Sequence, residues 1–106
     1  MNHYKSNVRD IEFNLFEVLG REEILGTEPY GDLDRATVSA ILAEVDHLAR
    51  TKLAESFPDG DGSLPVFDPQ NHTVTVPEDV KKSYRALMSS GAWQLELPEA
   101  LGGHIT

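Results

Sequence analysis

Cysteine is absent from the 106 residues of this chain, which removes disulfides, thiolate nucleophiles and thiolate metal ligands together. Positive charge is scarce as well: nine Lys and Arg stand against 18 Asp and Glu, for a formal net charge of −9. A chain of that sign repels phosphate, which argues against nucleic acid or an anionic membrane surface as a partner. Long apolar runs are missing too, so neither a signal peptide nor a membrane span is expected, and the cytoplasm is the default location. No GxGxxG, phosphate-loop, HExxH or GxSxG pattern occurs, so no nucleotide cradle or hydrolase nucleophile can be placed.

What remains is enough to fold. Hydrophobic residues make up 40% of the chain and charged residues 25%, ordinary values for a globular domain. Ser6 or Asn7 caps a first helix that Gly20 ends, with Val8, Ile11, Leu15, Val18 and Leu19 on one face, Phe16 widening it and Phe13 nearly opposite. Arg21 to Leu25 prolongs this helix or forms a separate turn, and Gly26 to Gly31 with Pro29 breaks the pattern. The second helix starts at the cap Asp34 and runs to about Glu55, before Pro58. Its apolar stripe is Val38, Ile41, Leu42, Val45, Leu48, Ala49 and Leu53, leaving Glu44, Asp46, His47 and Arg50 to solvent.

The run Pro58-Asp59-Gly60-Asp61-Gly62-Ser63 reads as a loop. Leu64 to Asp68 and Thr73 to Val76 flank Pro69-Gln70-Asn71-His72 as a short hairpin, marginal unless it lies on a helix. Pro77 opens a third clear helix, in which Val80, Tyr84, Leu87 and Met88 share a face opposite Lys82 and which Gly91 stops. Ala92 to Leu97 then alternates apolar and polar residues ahead of Pro98-Glu99 and Leu101-Gly102-Gly103. The elements amount to a mainly α fold, a small helical domain of three to four helices with a short β-hairpin before the last clear helix.

Site chemistry is sparse. His3, His47, His72 and His104 lie in four separate segments, none at the i, i+3 or i, i+4 spacing that aims two rings at one ion, so no metal site is expected. Asp59 and Asp61 begin like a calcium loop, but its sixth and twelfth places hold Leu64 and Gln70 instead of glycine and glutamate. Trp93, Tyr84 and Phe13 offer an aromatic platform, although burial in a core is the more usual role of such residues. No catalytic or cofactor-binding residue is assigned.

One resemblance goes further. Asn2 to Leu19, reading NHYKSNVRDIEFNLFEVL, resembles the short N-terminal extension of a subgroup of bacterial acyl-CoA dehydrogenases. Pro65-Val66-Phe67-Asp68 with Val74-Thr75-Val76-Pro77 resembles a hairpin of that subgroup. Gly91-Ala92-Trp93 and Pro98-Glu99-Ala100-Leu101-Gly102-Gly103 resemble the family's pro-glu-x-x-gly-gly turn. Where family members usually place another glycine soon after, this chain has His104-Ile105-Thr106.

The resemblance implies that residues 1–106 are one N-terminal helical domain, apparently truncated, with 1–20 as an extension helix. It also implies an FAD-dependent enzyme that removes the α and β hydrogens of an acyl-CoA thioester. The flavin contacts and the catalytic glutamate would then lie beyond Thr106, and this chain would supply scaffold and a wall of the acyl pocket. The alternative is a free-standing helical module that docks on partners. Surfaces meant for later domains would be bare in the chain alone. Phe13, Phe16, Trp93, Leu95, Leu97 and Leu101 are therefore the interface candidates, through which self-association into a symmetric homo-oligomer is expected.

Overall fold

The computed structural model describes residues 4–104, except for the side chains of residues 59–61. His3 of the histidines, Asn2 of the opening block, Ile105 and Thr106 of the final turn, and the Asp59 and Asp61 carboxylates lie outside the described part.

Asn7 caps the first helix, its Oδ1 accepting the Asp10 N–H at 3.1 Å, and α1 runs Val8–Glu12. From Phe13–Val18 the chain winds as a π-helix before Gly20 turns it in the left-handed region. That wider i→i+5 turn re-aims every side chain after it. Phe16 becomes the buried residue, 8% exposed, whereas Val18 and Leu19, expected on the inner face, are exposed. A 3-10 turn follows over Arg21–Ile24 as a separate element.

Asp34 caps α2, Arg35–Leu48, by accepting the Thr37 N–H at 2.7 Å. The stripe read from the sequence is the one that faces inward, with Val38 buried and Val45 at the rim. The helical path does not stop near Glu55, however. It passes through a π segment, Ala49–Leu53, and a 3-10 turn, Ala54–Ser56, into α3, Phe57–Gly62. The expected Pro58 to Ser63 loop is therefore helical as far as Gly62. Pro58 is tolerated because it falls in the first turn of α3, where its missing N–H removes no interior bond. Thr51 and Ser56 hydroxyls donate to the His47 and Leu53 carbonyls along the irregular stretch, a side-chain competition that loosens regular α geometry.

The hairpin forms as expected, with β1 Val66–Asp68 antiparallel to β2 Thr73–Thr75 and Phe67 opposite Val74. The Asp68 carboxylate accepts from the Gln70 and Asn71 N–H groups and from Asn71 Nδ2, closing the turn. The hairpin does not lie on a helix: five of its six strand residues are exposed.

After Pro77, α4 runs Glu78–Ser90 and ends at Gly91 in the left-handed region. Its inner face centres on Ser83, which the sequence reading passed over. Ser83 is buried, and its hydroxyl donates to the Lys52 carbonyl at 2.7 Å. Small size lets α4 approach the Ala49–Leu53 turn closely, and the hydroxyl satisfies a backbone acceptor there. Tyr84, one residue on, is consequently turned to solvent.

The fold is thus mainly α, with one two-stranded sheet before α4 among the described residues. It is also open. The radius of gyration is 17.8 Å and the extents are 56 × 36 × 19 Å, where a compact chain of this length has a radius of about 13 Å. The accessible surface is 7984 Å², against roughly 5,900 Å² for a compact monomer of this size. Phe16 and Val38 are the buried hydrophobic residues among those described.

Candidate functional site

Two apolar grooves run along α2, and Leu95 lines both. One, about 540 Å³, lies between α2 and the end of α4 and includes Ile41, Val45, Leu48, Ala92 and Leu95. The other, about 530 Å³, is walled by Leu15, Phe16, Ile24, Leu42, Val45 and Leu95. Arg35 braces the second groove from outside, its guanidinium 4.6 Å from the Phe16 ring centroid and 3.2 Å from Glu22 Oε2. The cation over the ring adds attraction that a bare apolar contact lacks.

Leu95 is held by the segment that carries the family-like turn. Ala92–Glu96 is a 3-10 helix, so its alternating pattern marks no strand. A second 3-10 turn, Glu99–Leu101, ends at Gly102 with φ 82°, a conformation that favours glycine. Gln94, unremarked in the sequence, joins the two. Its Nε2 donates to the Gly102 carbonyl at 3.0 Å, and its own carbonyl accepts the His104 N–H at 2.8 Å. Gly103 is buried, and a Cβ there would overlap the Leu97 carbonyl and side chain. The second glycine of the pair is therefore required by close approach, and His104 is accommodated in the turn through its backbone.

The aromatic residues are not core. Trp93, Tyr84 and Phe13 are 42%, 64% and 49% exposed, which corrects the core reading. Trp93 instead donates its indole N–H to the Met88 carbonyl at 3.1 Å, covering the end of α4. Tyr84 is displaced outward by Ser83, and Phe13 begins the π turn. Of the interface candidates, Phe13, Trp93 and Leu101 are exposed, Leu95 and Leu97 half-buried, and Phe16 is covered by the chain itself.

The acid–base chemistry is local. Asp34 and Asp68 are both held below the ordinary carboxylate value of 3.8. Hydrogen bonds from Thr37 account for Asp34, and those from the Asn71 side chain and then the turn N–H groups for Asp68. Both carboxylates cap turns in solvent. Among the described residues no group of three or more His, Cys, Asp or Glu is placed to hold a metal ion, and no helix is long and apolar enough to cross a membrane. What the arrangement offers is apolar surface and a rigid turn.

No protein-family model matches the chain. Among curated proteins it is similar to the broad-specificity linear acyl-CoA dehydrogenase FadE5 of Mycobacterium tuberculosis, being 50% identical over 103 residues, or 97% of this chain. The chain spans 17% of that relative's length. The likeness to an acyl-CoA dehydrogenase therefore holds along nearly the whole chain and covers a minor part of the enzyme.

Proposed function

We propose that residues 1–106 are the N-terminal helical domain of an FAD-dependent acyl-CoA dehydrogenase, with 1–20 as an extension helix, and that the full-length enzyme works in the cytoplasm. The observation that carries this reading is half identity over 97% of the chain to FadE5. In the full enzyme the substrate is an acyl-CoA thioester and FAD accepts the hydride. We assign neither flavin contacts nor the catalytic base to this chain.

Its part is to scaffold and to wall. The two grooves flanking Leu95 present apolar side chains of α2 on a frame fixed by Gln94 and Gly103, which suits them to line a space that holds an acyl chain. Phe13, Trp93, Leu95, Leu97 and Leu101 are assigned to contact with the rest of the enzyme. In the chain alone they are the surfaces expected to self-associate.

The test compares two proteins. The 106-residue chain by itself should be colourless after desalting and should not reduce an artificial electron acceptor with any acyl-CoA. The same residues followed by the in-frame continuation of their reading frame should purify yellow and reduce that acceptor. A flavin band or turnover in the isolated chain would overturn the division of labour. A reading frame with no continuation would leave the alternative, a docking module of dehydrogenase ancestry.

A further inference from the structure

We propose that Ile41 sets which acyl chain lengths the full enzyme accepts, which rests on the reading that the two grooves of α2 wall an acyl chain. Ile41 and Leu95 are the pair common to both grooves and to a third, smaller one. That third groove, about 280 Å³, is lined as well by Tyr30, Asp32, Glu99 and His104. Three spaces therefore meet at one ridge.

Chemistry decides which of them an alkyl chain enters. In the third groove it would take the Asp32 and Glu99 carboxylates out of water with nothing to pair them. The larger two are apolar, with Leu48 and Ala92 in one and Phe16 and Leu42 in the other. At about 540 and 530 Å³, each lies within the roughly 300–1,000 Å³ of small-molecule sites. A helix, roughly 10–12 Å across with its side chains, cannot enter spaces of this volume, whereas a single alkyl chain can.

Ile41 is placed to hold the two apart. It is half-buried on the regular part of α2, ahead of the π segment Ala49–Leu53. A β-branched side chain in a helix keeps one χ1 rotamer about nine times in ten, so this side of the ridge is stiff. Leu95 meets it from the 3-10 turn that Gln94 fixes. An acyl chain lying in one groove ends at the ridge unless it can cross, and the size of the side chain at position 41 decides that. Truncation joins the two apolar grooves, and enlargement closes the passage between them.

The test uses residues 1–106 followed by the in-frame continuation of their reading frame, assayed with straight-chain acyl-CoA thioesters of graded length. Ile41→Ala should raise kcat/KM for the longest thioesters relative to the shortest by about tenfold or more, since one methylene in an apolar pocket is worth roughly 10–200-fold. Ile41→Phe should move the ratio the other way. Both changes belong in KM with kcat nearly kept, because contacts at the chain end bind ground and transition states alike. If Ile41→Phe fails to fold, Ile41→Val, which removes one methyl group, must shift the ratio in the same direction as Ile41→Ala. An active parent whose length profile is unchanged in Ile41→Ala and Ile41→Val overturns the proposal and leaves the dehydrogenase reading standing. So does an equal fall at every length with a lower melting temperature, which would show that side chains of the enzyme itself fill the grooves. A parent that dehydrogenates no acyl-CoA overturns both.

Discussion

The helical body and the hairpin carry the same kind of pattern and meet different fates. In the body, the apolar stripe of α2 is met by Phe16 from the first helix, and the Ala49–Leu53 turn that follows it is met by the Ser83 face of α4. The hairpin has as clear a stripe, in Phe67, Val74 and Val76, and among the described residues it is left largely exposed, Phe67 and Val74 at 62% each. Periodicity therefore tells which face of an element is apolar. Whether that face is satisfied within the chain depends on which other elements are present to reach it.

Matched phenylalanines test this contrast most sharply. Phe16→Ala empties a buried site under Arg35 and should cost about 3 kcal/mol of unfolding free energy. Phe67→Ala should cost about 0.5 kcal/mol or less in the monomer, because the residue is 62% exposed. Urea denaturation at low protein concentration measures both, and equal costs would erase the distinction between body and hairpin.

The next largest effect belongs to the final turn. Gly103→Ala forces a Cβ against the Leu97 carbonyl and Cβ, an overpacking expected to cost about 2 kcal/mol. The loss should be local, seen as faster hydrogen exchange at the His104 amide while α2 stays protected. Unchanged exchange there would mean the turn has room that the geometry denies it. Ser83→Ala should cost about 1 kcal/mol, since the Lys52 carbonyl loses its 2.7 Å donor while the small side chain still fits. Ser83→Thr, which keeps the hydroxyl but adds a methyl group at the close approach, separates bond from packing. If both variants unfold at the urea concentration of the parent, the link between α4 and the Ala49–Leu53 turn is incidental.

What was legible in the sequence is what is decided within a few residues. Asn7 and Asp34 cap helices, Pro77 and Gly91 bound α4, and the Asp68 turn joins two β-branched strands, each by contacts no further than four residues away. The π turns were not legible, because no residue type marks them and Phe16 turns inward only once α2 is there to receive it. Pro58 misled for a related reason: a break was expected, but an irregular stretch just before it let the helix restart. Ser83 and Gln94 went unnoticed because polar side chains show no amphipathic signal. Each matters only through a partner elsewhere, 31 residues away for Ser83 and eight for the Gln94 side chain. For the site, the family-like turn was legible as a string of residues. The grooves on either side of Leu95 were not, since they are assembled by distant elements.

The smallest effect sets one carboxylate of each region against the other. Asp34 in the body and Asp68 in the hairpin both have folded pKa values below the ordinary 3.8, through hydrogen bonds that favour the charged form. A depressed carboxylate contributes stability that is fully present above its unfolded pKa and is lost as pH falls through the folded value. Acidification from just below pH 4 downward should therefore loosen the α2 cap and the hairpin turn, with no change on the alkaline side from these groups. The Thr37 amide should report Asp34, and the Gln70 and Asn71 amides Asp68, in a nuclear magnetic resonance titration. Asp68→Asn should abolish the pH dependence at residues 70 and 71 and leave that at Thr37 intact, since Asp34 is held by Thr37 and Asp68 by Gln70 and Asn71, with no partner in common. Reporter amides that titrate at or above the value of a free aspartate would show that the hydrogen bonds do not hold the charged form. A change at Thr37 in the Asp68→Asn chain would show instead that hairpin and body are coupled, and the division drawn between them would have to be given up.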